Sequence, residues 1–278
     1  MAVMAVCGAL LLAGLAAGVM WHGRTFCAPA VEGELSAGEA ARRFVWYSSL
    51  ALLAGVGAGI SVIGAGGRLA MRLLAVTGGR EAQGRITEAE EVVGEITVDG
   101  TIGFVLINGI FGGVVAAALY LVVRRLLPPR WLGGVVFGVG LLVVLGTTID
   151  PLRDENPDFD IVGPGWLSVV VFTALALAFG FVLAAFTARL SAWLPLPSTE
   201  RRVMVRYAGP AAIAVVAFSV TAALVVVCLA VVAATRWRWL VDAVRSPRAV
   251  LVGRVVAVVL VVAALPHALT SAADIASR

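Results

Sequence analysis

Apolar residues gather along this chain into seven long runs separated by polar connections. The runs lie near residues 1–21, 44–67, 101–123, 131–149, 165–187, 210–234 and 249–271, and none contains an aspartate or glutamate. Each is long enough to cross a hydrocarbon core of about 30 Å at a helical rise of about 1.5 Å per residue. Backbone inside lipid must satisfy its own hydrogen bonds, which continuous runs do as helices; the alternating ten-residue strands of a barrel are missing. The expected fold is all-α: a polytopic transmembrane helix bundle of about seven spans, one integral membrane domain over 1–278.

Tryptophans support these limits. Trp21, Trp46, Trp131, Trp166, Trp193, Trp237 and Trp239 all fall at or just beyond an expected span end, where an amphipathic ring sits at the bilayer interface. The first run lacks a basic leading segment and exceeds the apolar stretch of a signal peptide, so an uncleaved helix is expected.

Glycine divides the chain. Of 31 glycines, 29 precede residue 181, so glycine-rich helices over 1–187 are followed by Val/Ala-rich helices over 210–271. The pairs Gly14/Gly18, Gly55/Gly59, Gly109/Gly113 and Gly134/Gly138 have the small-xxx-small spacing that lets helix backbones approach closely in lipid. Such faces fit a membrane-protein partner or a homo-oligomer, or else the lining of a pore. No internal repeat of the inverted transporter kind is visible.

Composition agrees: 61% of residues are hydrophobic, 14% charged, and mean hydropathy is +1.01. A soluble domain carries about 25% charged residues, so a soluble fold is excluded. All 21 basic residues are arginine, the mark of a GC-rich genome. The net charge of +4 is not clustered, so no nucleic-acid partner is expected. With seven crossings, the face holding the N-terminus carries nine arginines against twelve acids, and the opposite face eleven against five, with Arg254 inside the last span. The positive-inside rule then places the N-terminus outside and the C-terminus in the cytoplasm. One basic segment, Arg236 to Arg248, falls on the wrong side.

The candidate chemistry lies in two connections. Arg68 and Arg72, four apart on a helical continuation of the second span, share a face. They are either snorkelling residues at a helix end or, with Asn108 in the third span, an anion or lipid-phosphate site gripped by guanidinium forks. The acidic stretch after them ends in Glu95-Ile96-Thr97-Val98-Asp99-Gly100, whose alternation suggests a short β-ribbon near 93–100. In the fourth connection Asp154, Asn156, Asp158 and Asp160 have the opening spacing of a calcium loop, but Phe159 stands where glycine is required. Ion pairing between the two loops is the competing reading. His22 and His267 fall near one interface in this topology, which would allow paired haem ligation. Three scattered cysteines and no CxxC offer no metal site, so no cofactor is expected. No HExxH, P-loop or nucleophile–base set occurs.

Gly66-Gly67-Arg68-Leu69-Ala70-Met71-Arg72 and the segment from Asn156-Pro157-Asp158-Phe159-Asp160 to Gly163-Pro164-Gly165-Trp166 resemble pieces of uncharacterised multi-pass membrane proteins of GC-rich actinobacteria. The resemblance implies a bacterial plasma-membrane location and no activity. The expected function is a non-enzymatic membrane component acting through helix packing or a partner. The alternative is a passive channel or anion transporter with Arg68 and Arg72 as its filter.

Overall fold

The computed structural model describes residues 2–30, 36–218, 222, 226 and 246–278. These residues form seven main helices: α1 (Ala2–Trp21), α2 (Ala37–Thr77), α3 (Val98–Val123), α4 (Trp131–Leu145), α5 (Gly165–Trp193), α6 (Arg201–Val216) and α7 (Pro247–Ala276). Five of them, α1, α2, α3, α5 and α7, are long and apolar enough to cross a membrane. Helix α4, with 15 residues, is about 22 Å long at 1.5 Å per residue. The hydrogen-bonded turn through Ile149 carries the chain on from it. Most of the expected span 210–234 lies outside the described residues.

Backbone contact at glycine holds the bundle. Helices α2 and α3 cross where Gly55 and Gly59 meet Gly109 and Gly113: a Cβ on Gly55 would lie 2.6 Å from the Val114 Cα, and one on Gly113 would lie 2.8 Å from the Gly59 Cα. A second crossing sets Gly134 and Gly138 of α4 against Ala176, Gly180 and Ala184 of α5. Helix α1 fits by Gly14 against Ser61 and by Gly18 against Phe181 and Val182. At the α2–α3 crossing both helices widen to i→i+5 bonding, over Gly59–Gly66 and Val105–Gly112. Between the crossings lies a buried core of Ala54, Ala58, Val62, Ala117, Tyr120, Phe137, Phe179, Val182 and Leu183.

The arginines locate the two faces. Met4, Arg68, Glu88 and Asp158 surround one cleft, so α1 begins on the face that carries the connections 78–97 and 146–164. Arg278 bonds Asp160 at 3.2 Å and the Asp154 carbonyl at 2.9 Å, and Ile275 packs with Leu152 and Phe159. Helix α7 begins at the opposite face, where Arg254 Nε donates to the Leu126 carbonyl at 3.2 Å. Both termini therefore lie on one face, which corrects the expectation of opposite faces. That expectation took every apolar run as one crossing. Here α6 leaves the second face and α7 also starts from it, so Arg248 joins the basic side. Among the described residues the first face carries six arginines against twelve acids, and the second twelve against two.

Other differences are local. The residues 93–100 form no ribbon. Thr97 caps α3, its hydroxyl accepting from the Gly100 N–H, and Asp99 sits in the first turn, where a helix N-terminus favours a negative charge. The antiparallel contact occurs earlier, as a single Ile86–Val92 bridge in a tight hairpin. Trp131, Trp166 and Trp193 are exposed at helix ends, but Trp46 is 1% exposed, its indole N–H donating to the Leu194 carbonyl at 2.7 Å.

The crossing makes a stability prediction. Gly59→Ala places a methyl on the Gly109 carbonyl, whereas Gly140, also in a helix, has nothing within 4 Å of its Cβ position. Gly59→Ala is expected to destabilise the bundle by about 2 kcal/mol. Gly140→Ala should be neutral, or stabilising by up to about 1 kcal/mol. Denaturant unfolding in detergent micelles, followed by tryptophan fluorescence, checks the pair.

Candidate functional site

A cleft of about 500 Å³ opens on the first face among α1, α2, α3, the 84–96 hairpin and the 150–162 connection. Its geometry follows from three local choices in the sequence. Helix α2 continues ten residues past Gly67 into Thr77, which carries Arg68 and Arg72 beyond the apolar core. The hairpin is closed by Gly84–Val93 and Val93–Arg85 backbone bonds and anchored by Val93, buried against Ala75 and Ala82. The 150–162 connection is pinned by Leu152 and Phe159, both buried.

The cleft has an order in depth. At the rim Arg72 Nη1 donates to the Gly94 carbonyl at 3.2 Å, with Glu91 and Glu95 on the hairpin beside it. One helical turn deeper, Arg68 Nη2 donates to Thr101 Oγ1 at 3.3 Å, and its guanidinium lies 5.9 Å from the Phe104 ring centroid. Arg68 Nε is buried with no hydrogen-bond partner. Deeper still come Phe104, Ile107 and Asn108. Asn108 is seven residues beyond Thr101, or roughly 10 Å further along α3.

Arg68, Arg72 and Asn108 thus share one cleft, and Asn156 and Asp158 line it too. Asp154 and Asp160 do not; they face Arg278. Asp158 Oδ1 accepts the Glu88 N–H at 2.8 Å, and Asn156 Oδ1 accepts the Asp158 N–H at 2.8 Å. Three of the four expected calcium-ligand side chains, Asn156, Asp158 and Asp160, thus accept from protein donors, and Asp154 offers Arg278 its backbone carbonyl. Among the described residues, no group of three His, Cys, Asp or Glu is placed to hold a metal. The ion pairs Arg153–Glu88 and Arg278–Asp160 tie the acidic loop to the hairpin and to the C-terminus instead. His22 ends α1 at the second face, while His267 lies toward the first-face end of α7, so the two do not meet across a haem.

Sequence reasoning missed the carboxylates Glu91, Glu95 and Asp150, which line the same cleft. None of the three has an ion-pair partner among the described residues. Packed atoms around Asp150 push its carboxyl above the usual range; Arg153 opposes this and Glu88 and Asp158 add to it. The sequence marks only the end of the acidic stretch, where Thr97 caps α3, and nothing in it points to Asp150.

The chain matches no protein-family model, no curated protein and no solved structure.

A raised carboxyl fixes the sign of a pH effect. Native Asp150 holds its proton above the ordinary value of 3.8. Stability therefore falls as pH rises through the window above that value, and below it the effect vanishes. Asp150→Asn is expected to melt higher than the parent at pH 7 and to lose that advantage below about pH 3.8. Melting curves of both proteins across pH 3–8 test this.

Proposed function

We propose that this chain is a non-enzymatic component of a bacterial plasma membrane that binds a ligand at its cleft and conducts nothing across the bilayer. The observation carrying this reading is where the cleft stops. Immediately beyond Asn108 come Gly109 and Ile110, both buried, and behind them the apolar core of Ala58, Val62 and Val114 closes the bundle. The buried hydroxyls of Ser61 and Thr187 in that core are each turned to carbonyls of their own helix.

The rival reading, an anion channel filtered by Arg68 and Arg72, fits the cleft poorly. Five carboxylates line it, from Glu88, Glu91, Glu95, Asp150 and Asp158, against two guanidinium groups. A field of that sign repels a free anion. Nor do the glycine pairs support a partner. All four are spent on contacts inside the chain, which moves the reading from helix packing to the cleft.

Orientation follows from the arginines. The positive-inside rule makes the second face, with its twelve arginines against two acids among the described residues, cytoplasmic. Both termini and the cleft then face outward. Alkaline phosphatase fused after Arg278 should be active, and a green fluorescent protein at the same site dark; the reverse pattern would overturn the orientation. Proteoliposomes are expected to show no anion leak above protein-free vesicles. A leak that Arg68→Ala abolishes would establish the channel instead.

A further inference from the structure

The reading of the cleft as a binding site leaves its ligand open, and the lining narrows the chemistry. Three features have to be matched together. Two guanidinium groups stand one turn apart on α2, and the deeper one, Arg68, keeps a buried Nε without a partner. Glu91 and Glu95 lie at the rim, and Asp150 lines the same cleft; none of the three is ion-paired within the described chain. The floor is apolar, with Phe104, Ile107 and Phe172 around the single amide of Asn108. Ile107 is 64% exposed while lining the cleft, so the wall continues onto the outer surface of α3 and the cleft opens sideways as well as upward.

A simple anion satisfies the arginines and is repelled by the carboxylates. A simple cation satisfies the carboxylates and leaves the Arg68 Nε without a partner. A zwitterion with its anionic group inward and its cationic group outward satisfies both, each through charge-assisted hydrogen bonds. The lateral opening and apolar floor call for hydrocarbon beneath the charges. A phospholipid entering from the bilayer meets the cleft in the same order: ammonium, phosphate, ester, acyl chain.

We propose that the cleft binds one amine-bearing zwitterionic phospholipid, of the phosphatidylethanolamine type. The phosphate lies between Arg68 and Arg72, the ammonium donates to Glu91 and Glu95, and an acyl chain runs along Phe104 and Ile107 past Asn108. A primary ammonium has three N–H donors for carboxylates, which a quaternary choline lacks.

The test is lipid retention by the full-length protein, delipidated in detergent and titrated separately with phosphatidylethanolamine, phosphatidylglycerol, phosphatidylcholine and soluble phosphoethanolamine, read by native mass spectrometry. Phosphatidylethanolamine is expected to bind at least about tenfold more tightly than each of the others. Glu95→Gln should erase its advantage over phosphatidylglycerol, and Arg72→Gln should weaken both lipids. Ile107→Trp, which fills the floor without touching a charge, should weaken every lipid and leave soluble phosphoethanolamine unchanged. Each variant's melting temperature shows that it folds. Should phosphatidylglycerol bind as tightly as phosphatidylethanolamine while Arg72→Gln still weakens both, the headgroup assignment is overturned and the cleft remains a lipid site. Binding of soluble phosphoethanolamine as tight as the lipid would overturn the lipid source. If no variant changes retention, both the headgroup assignment and the binding role of the cleft are overturned.

Discussion

The contact on which the remaining architecture depends is the backbone crossing of α2 and α3. Nothing in a hydrocarbon solvent drives apolar helices together by the hydrophobic effect, so close packing and weak polar contacts must do it. At Gly59 the direction a Cβ would take runs into the Gly109 carbonyl, so a Cα hydrogen points there instead, a contact worth about 0.5–1 kcal/mol. Gly55 and Gly113 repeat the arrangement one turn away. Because α1 leans on Ser61 and α3 on Gly59, two neighbouring helices take their positions from one short stretch of α2.

That stretch also sets the direction in which the site points. The residues of α2 that meet α3 are Gly55, Gly59, Gly64 and Gly67, against Val114, Gly109, Val105 and Phe104. The step from Gly59 to Gly64 is five residues. On a regular α-helix five residues turn about 500°, which would carry Gly64 about 140° off the seam. The i→i+5 bonding of Gly59–Gly66 absorbs the extra residue and keeps the seam continuous. Arg68 follows at once, and it reaches Thr101 across the same interface. Without the widened turns Arg68 and Arg72 would lie on another side of α2, away from the hairpin carboxylates. The irregular backbone in the middle of the membrane and the charged cleft at its surface are thus one feature seen at two depths.

How much of this was legible in the sequence depends on the range of the interaction concerned. Helix positions were legible because length and hydropathy are local: α1, α3, α5 and α7 lie close to their expected runs. The small-xxx-small pairs named the crossings, since glycine four residues apart marks one helical face. The four-then-five spacing of Gly55, Gly59 and Gly64 held a trace of the widened turns, but the bonding pattern itself has no residue signature. Arg68, Arg72 and Asn108 were legible as unusual residues in apolar surroundings. Glu91, Glu95 and Asp150 were not, because surface acids are ordinary and only the folding of the hairpin and of the 150–162 connection brings them to the arginines. The supposed ribbon at 93–100 failed for a related reason. Alternation of polar and apolar residues over six positions also describes a capped helix start, and Thr97 with Asp99 decides in favour of the helix.

Charge and topology constrain each other in the same manner. Counting arginines with every apolar run taken as one crossing left a basic segment on the acidic side. The contacts of the C-terminal helix resolve it for Arg248, while Arg236, Arg238 and Arg245 lie outside the described residues. Once Arg254 lies at Leu126 and Arg278 at Asp160, Arg248 belongs with the basic face and Arg278 supplies a counter-ion to the acidic one. Two groups of carboxylates on the acidic face bear on the cleft. Glu88 and Asp160 are neutralised by Arg153 and Arg278, the groups that hold the loops in place. Glu91, Glu95 and Asp150 line the cleft with no such partner among the described residues. Several acids outside the cleft are also without an ion pair among the described residues, so a missing counter-ion does not by itself mark a site. What sets the cleft apart is that its carboxylates share one concave surface with two guanidinium groups, one of which keeps a buried Nε without a partner.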